Sequence, residues 1–175
     1  MTMPLVVLEE GSYGTSIATV SPEEFTTIYR QFLNPVTKYL ARRVNPSDVE
    51  ELASRVFEIA WQKRAQASAG FELPWLYRIA GYVVSNHRRS EAAKASFLAL
   101  FRPNDAAPSA EDIAIVDLSL SQAWAKLAPA ERQAISLSSF EGLDNPSAAR
   151  VLDISTNAFA LRLSKAKSKL KKLIS

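Results

Sequence analysis

Helix-start signals recur along this chain, each followed by apolar residues at steps of three and four, and that repetition restricts the fold more than any other feature. Ser21-Pro-Glu-Glu24 offers a cap, a proline at the first helical position and a glutamate placed to return the capping bond. Phe25, Ile28, Tyr29, Phe32, Leu33, Val36, Leu40 and Val44 follow at helical spacing, with Pro35 predicted to kink or interrupt the run. Asn45-Pro-Ser-Asp-Val-Glu50 is a second start, with Ser47 the predicted cap. There Leu52, Val56, Ile59, Ala60 and Trp61 can face a core, leaving Asp48, Glu51, Arg55, Glu58 and Gln62 outward. Pro74 is predicted to open a third helix, in which Leu76, Ile79, Ala80, Val83 and His87 share one stripe. Trp75, Arg78, Tyr82, Asn86 and Arg89 recur on another, basic and aromatic one. No convincing strand and no internal repeat is found, so the predicted fold class is all-α.

From Ala92 to Asp112 the periodicity loosens around Pro103 and Pro108, which predicts a flexible linker between two small helical domains. The division is a tail over 1–20, domains over 21–91 and 113–175, and a linker over 92–112. In the second domain Ile113, Val116, Leu120, Ala123, Trp124 and Leu127 mark a helix, Pro129 starts another, and Gly142 supplies its left-handed stop. Asn145-Pro146 is predicted to cap a short helix ending near Leu152, and Ser155 to cap a last one with Phe159, Leu163, Ala166 and Leu170 inward.

Composition removes several function classes. The 175 residues include no cysteine and one histidine, so neither a disulfide framework nor a cysteine or histidine metal site is expected. The opening Met1–Glu10 has no basic region and only a four-residue apolar run, which reads as neither a signal peptide nor a membrane span; the expected location is the cytoplasm. No glycine-rich phosphate loop or nucleophile motif is present, so no catalysis, cofactor or small-molecule substrate is expected. Trp61 and Trp124 sit on apolar stripes and read as core, and His87 as structural or phosphate-facing.

The net charge of +3 is modest, but its distribution is not even. No acidic residue follows Ile154, while Arg162, Lys165, Lys167, Lys169, Lys171 and Lys172 crowd the C-terminal helix. A solvated helix end would carry such a run, and an ordinary helical hairpin the same apolar spacing. The short helix, three-residue turn and longer basic helix also form the arrangement that places a second helix in the major groove. Ser155, Thr156 and Asn157 at the start of that helix can donate to phosphates and favour DNA.

With these residues in view, the chain resembles a bacterial sigma-70 family sigma factor of the extracytoplasmic-function type. The resemblance rests on Glu131-Arg132, Glu141-Gly-Leu143, Leu152, Ile154-Ser155, Arg162-Leu163 and Ala166 in the second domain. In the first it rests on Pro35, Glu51-Leu52, Val56-Phe57, Ala60-Trp61, Trp75-Leu-Tyr-Arg-Ile-Ala80 and His87-Arg-Arg89. It implies that Asp48, Glu51, Arg55 and Glu58 dock on core RNA polymerase. It implies −10 strand capture by Trp75, Arg78, Tyr82, Asn86, Arg88 and Arg89, with the loop Ser68–Phe71 as a base pocket. Reading of the −35 duplex would fall to Ser155, Thr156, Asn157, Ala160, Leu161, Arg162, Lys165 and Lys169. The implied partners are core polymerase, promoter DNA and an anti-sigma factor, without membrane insertion.

Departures from the family pattern are concentrated at contact positions. Ser54-Arg55, Tyr82 and Asn86 replace Gln-Glu, Asn and Asp, and Ser147-Ala-Ala149 replaces Glu-Ile-Ala. Asp153 stands at the turn glycine, and Ala158-Phe-Ala-Leu161 in place of Thr-Val-Lys-Ser. Asp tolerates the left-handed backbone that glycine supplies. Ala160 and Leu161 leave readout to thymine methyl contacts and to Thr156, Asn157 and Arg162. These departures motivate a rival from another class, a sigma-like protein that sequesters a partner by mimicry and starts no transcription.

Overall fold

The structure, a computed structural model, describes residues 20–99 and 118–174. Helix α1, Pro22–Ala41, opens as the sequence predicts: Ser21 N–H donates to Glu24 Oε2 and Glu24 N–H to Ser21 Oγ, at 2.7 and 3.2 Å. Its continuity through Pro35 departs from the predicted interruption. Proline removes one hydrogen bond there, and the burial of Val36, Tyr39 and Leu40 just beyond it holds the following turns in place.

A single 3₁₀ turn over Pro46–Asp48 leads into α2, Val49–Gln62. Ser47 does not cap it; its hydroxyl donates instead to Asp48 Oδ1 at 3.2 Å. Helix α3, Glu72–Ala99, begins two residues before Pro74 and continues well past Ala92. The boundary predicted at Ala92 coincides with the end of the apolar stripe. Ala92, Ala93 and Ala95 sustain a helix by propensity alone, with no core to face. The predicted tail, the stretch with Pro103 and Pro108, and Ile113 and Val116 lie outside the described residues.

After them come α4 (Leu118–Ala125), α5 (Pro129–Ile135), α6 (Asn145–Leu152) and α7 (Thr156–Ile174). A π-helical turn over Ser136–Phe140 follows α5 and ends at Gly142, whose φ of +66° is the left-handed stop predicted for it. All described elements are helical, in agreement with the predicted class. No helix among the described residues is long and apolar enough to cross a membrane.

Helices α1, α2 and α3 pack as one set, α4 to α7 as a second, and α6 lies against α3. One connected apolar cluster runs through both sets, from Val36, Leu40, Val56 and Leu76 to Leu137, Ala148 and Phe159. The double contact explains why α3 buries Tyr77 and Val84 as well as the predicted Leu76, Ile79, Ala80 and Val83. Trp61 departs from its expected place: it is 38% exposed, edge-on to Phe25 and covered by the Arg64 guanidinium. Trp124 is half-buried beside Phe140.

Where the two sets meet, the rings of Tyr39 and Tyr77 stack with centroids 4.8 Å apart. Burial, reinforced by the Glu141 charge, pushes the Tyr77 hydroxyl up to about 12; burial also raises Tyr39. A phenol raised on folding keeps its proton while the unfolded chain ionises near its ordinary value of 10.0. Its contribution to stability is therefore complete below pH 10.0 and is lost as pH rises towards about 12. Thermal unfolding should show a midpoint falling across that interval, and Tyr77→Phe should flatten the fall. Parallel profiles for the two proteins would contradict the assignment.

Candidate nucleic-acid interface

The C-terminal helix-turn-helix is built from local bonds. Asp144, not Asn145, caps α6: its carboxylate accepts from Ser147 N–H at 2.9 Å, and hydrogen bonding from Ser147 holds it below the usual carboxylate range. The helix ends on Asp153 at φ 56° and ψ 45°, the left-handed position inferred from the sequence. Ile154 N–H closes the end by donating to Ala149 O at 3.1 Å. Ser155 then caps α7 through a 3.1 Å bond from Ala158 N–H. Phe159, Leu163 and Ala166 are buried, with Leu170 half-buried, so removing the Phe159 ring would cost ~3–5 kcal/mol and release α7 from its support.

That stripe fixes what α7 can present. Thr156, Asn157 and Lys165 are exposed, Ala160 and Arg162 half-buried, and Leu161 is 64% exposed where a polar reader would be useful. Lys169, expected at the −35 duplex, is engaged within the fold. Its ammonium lies 2.8 Å from Glu131 Oε2 on the packed α5, a carboxyl held low by that bond and by Ala128 N–H.

On α3, Tyr82 is 65% exposed and Asn86 and Arg89 are exposed, while Trp75 packs partly against the core. The other predicted −10 residues are engaged. Arg78 Nη2 meets Asp153 Oδ2 at 2.9 Å, an exposed pair worth ~0–1 kcal/mol. Arg88 Nη2 donates to Arg43 O at 2.9 Å. Phe71, at the end of the candidate base loop, lies under the Arg150 guanidinium of α6 at 3.6 Å from its ring centroid. The C-terminal set thus rests on part of the surface assigned to strand capture.

On α2, Glu51, Arg55 and Glu58 form the outward face expected of them. Asp48 is drawn aside, its Oδ2 3.2 Å from His87 Nε2, which accounts for the half-buried histidine as a structural group. Beside that face runs a cleft lined by Tyr29, Leu33, Pro46, Val49, Ala53 and Phe57, which the sequence reading missed. Its signal was an apolar stripe on α1 wider than one neighbour needs. No group of three or more metal-ligating side chains occurs among the described residues.

Also missed were the partners of Glu141, a residue the sequence brings in only through the motif Glu141-Gly-Leu143. Its side chain is 2% exposed, and its two oxygens take Arg42 Nη1 at 2.8 Å and Arg43 Nη1 at 2.9 Å. Arg43 in turn lies 3.6 Å over the Tyr39 ring. No local pattern could reveal partners 98 and 99 residues apart.

Comparison with known proteins agrees with this geometry. Residues 117–170 match the family described as Sigma-70, region 4. Among solved structures, the co-crystal structure of the sigma factor RpoE with the anti-sigma factor NepR from Bartonella quintana aligns at 19% identity. It covers 87% of this chain and 97% of that one, with a TM-score of 0.63. CnrH in complex with the cytosolic domain of CnrY aligns at 20% identity, covering 90% and 92%, with a TM-score of 0.59. The PhyRSL–NepR complex from Sphingomonas sp. Fr1 aligns at 16% identity, covering 88% and 89%, with a TM-score of 0.56. No curated protein matches the chain. Residues 117–170 thus resemble sigma-70 region 4, and the chain as a whole has the fold of extracytoplasmic-function sigma factors. The resemblance drawn from the sequence is borne out.

The turn of the helix-turn-helix is directly testable. Asp153→Ala keeps a Cβ in the left-handed region and should cost ~1–2 kcal/mol in chemical denaturation. Asp153→Gly loses the same exposed pair with Arg78 but none of the backbone fit, and should be the more stable of the two. Equal stabilities would remove the left-handed turn from the account.

Proposed function

We propose that the chain is a promoter-specificity subunit of bacterial RNA polymerase, acting in the cytoplasm without catalysis of its own. The observation that carries this reading is the helix-turn-helix α6–α7, within a match to sigma-70 region 4 and joined to a second helical set in a sigma-factor fold. Glu51, Arg55 and Glu58 dock on the core enzyme, with Asp48 at the edge of that face. Tyr82, Asn86 and Arg89 meet the opened −10 strand, joined by Arg78, Arg88 and Trp75 once the C-terminal set has moved. Cations along a strand and aromatic faces for unstacked bases are the two components such a surface needs.

The −35 duplex falls to α7. Its N-terminal residues Ser155, Thr156, Asn157, Ala160, Leu161 and Arg162 lie where a groove-entering helix meets base edges, and Lys165 lies nearer the backbone. An anti-sigma protein is the further partner, supported by the likeness to two sigma factors whose solved structures hold one or a cytosolic partner domain. One observation favours mimicry without initiation: Leu161 stands exposed at the start of the recognition helix, where it offers no hydrogen bond.

Transcription reconstituted from core polymerase, this chain and a promoter library separates the two readings. Initiation from a defined set of promoters is the expected result, and binding to core without initiation would favour mimicry. In the same system Glu51→Lys with Glu58→Lys should weaken core binding on the order of tenfold with helix content unchanged. Unaltered affinity would remove the α2 face from the docking surface.

A further inference from the structure

Helix α7 carries two rows of residues along its length. Phe159, Leu163, Ala166 and Leu170 form the row turned to the core. Asn157, Leu161, Lys165, Ser168 and Lys172 form the other, also at steps of three and four, and all of them are exposed. At about 3.6 residues per turn the rows lie roughly 180° apart, so the second is the outermost ridge of the helix. Its side chains end in an amide, a hydroxyl or an ammonium group, except for Leu161, which is 64% exposed.

An isolated leucine on a surface ordinarily needs no special account. Leu161 differs in its place, one turn inside a helix whose start is capped by Ser155 and which carries no acidic residue. The apolar patch it makes is small. Ala158, three residues earlier, adds only a methyl group, and Asn157 and Lys165 border the patch along the ridge. A protein partner would require a wider apolar surface. The major groove of DNA, by contrast, presents a single kind of apolar group among its donors and acceptors, the 5-methyl of thymine. One leucine bordered by polar and cationic side chains is complementary to that surface.

The neighbours of Leu161 give the contact a register. Asn157 precedes it by four residues, about 6 Å along the helix axis. This is close to two base-pair steps of roughly 3.4 Å each. Asparagine matches the paired donor and acceptor on the major-groove edge of adenine.

We infer that Leu161 is a specificity-determining residue: it reads the 5-methyl group of a thymine about two base pairs from an adenine met by Asn157. The inference rests on the proposed placement of α7 in the −35 duplex and names the base chemistry that this chain selects there. The contact needs no hydrogen bond, so the apolar side chain is itself the basis of selection. The ridge is uncovered in the structure, and the full-length chain can be tested without polymerase.

Selection from a library of random duplexes by the full-length chain defines the preferred element. Each thymine in it is then replaced singly by deoxyuridine, which removes the methyl group and keeps every hydrogen-bonding atom. Affinity is read by fluorescence anisotropy. One replacement should weaken binding about fourfold, the weight of one buried methyl group. Leu161→Ala should bind the unmodified element about fourfold more weakly and lose its sensitivity to deoxyuridine at that position. Circular dichroism should show the helix content of this variant unchanged, because Leu161 is exposed. A selected element in which no thymine methyl matters would overturn the inference and leave the DNA reading standing. Equal sensitivity to deoxyuridine in the wild type and Leu161→Ala would overturn it too. So would unchanged affinity in Leu161→Ala, which would leave Leu161 to a protein partner. Failure to select any duplex would overturn the inference together with the DNA reading, and is thereby distinguished from the other results.

Discussion

A carboxylate taken almost wholly out of water must be met by cations, and Glu141 is met by two. The rest of the arrangement follows from that demand. Arg43 is drawn across the Tyr39 ring, Tyr39 stacks on Tyr77, and the end of α1 is fixed against the turn that follows α5. Breaking such a pair by removing one partner typically costs ~3–5 kcal/mol, because the other charge stays buried. By contrast the exposed Arg78–Asp153 bridge orients more than it stabilises. The hold between the helical sets therefore lies at Glu141 and in the shared apolar cluster.

This hold bears on function through α3. One helix carries the residues proposed to meet the −10 strand and also supports α6, the first helix of the helix-turn-helix. The two tasks compete for its surface in this arrangement. A specificity subunit that keeps its strand-binding surface partly covered when free limits non-specific binding, which a cationic and aromatic surface otherwise invites.

Features governed by neighbours in sequence were legible. The capping box at Ser21, the stop at Gly142, the left-handed Asp153, the Ser155 cap and the buried stripe of α7 each follow from residues within one turn of each other. Where tertiary packing overrides local preference, the sequence misled. Pro35 lies inside a continuous helix because its neighbours are anchored in the core; α3 extends to Ala99 for the opposite reason, since alanines stay helical with no core to face. The candidate site was legible as a set of faces, and the outward placement of Glu51, Arg55, Glu58, Tyr82, Asn157 and Lys165 follows from period alone. Its pairings were not. Lys169 with Glu131, Asp48 with His87, Arg78 with Asp153 and Arg43 with Glu141 join residues distant in the chain, for which periodicity carries no information.

The central claim, that two helical sets act as one unit joined through a buried charge, is tested most directly by a double-mutant cycle. Equilibrium denaturation of the wild type, Glu141→Gln, Arg43→Gln and the double variant gives the coupling between the two side chains. The account predicts one shared unfolding transition and a coupling of about 1.5 kcal/mol or more, as for contacting residues in one charged network. Two separate transitions with additive effects of the substitutions would contradict it.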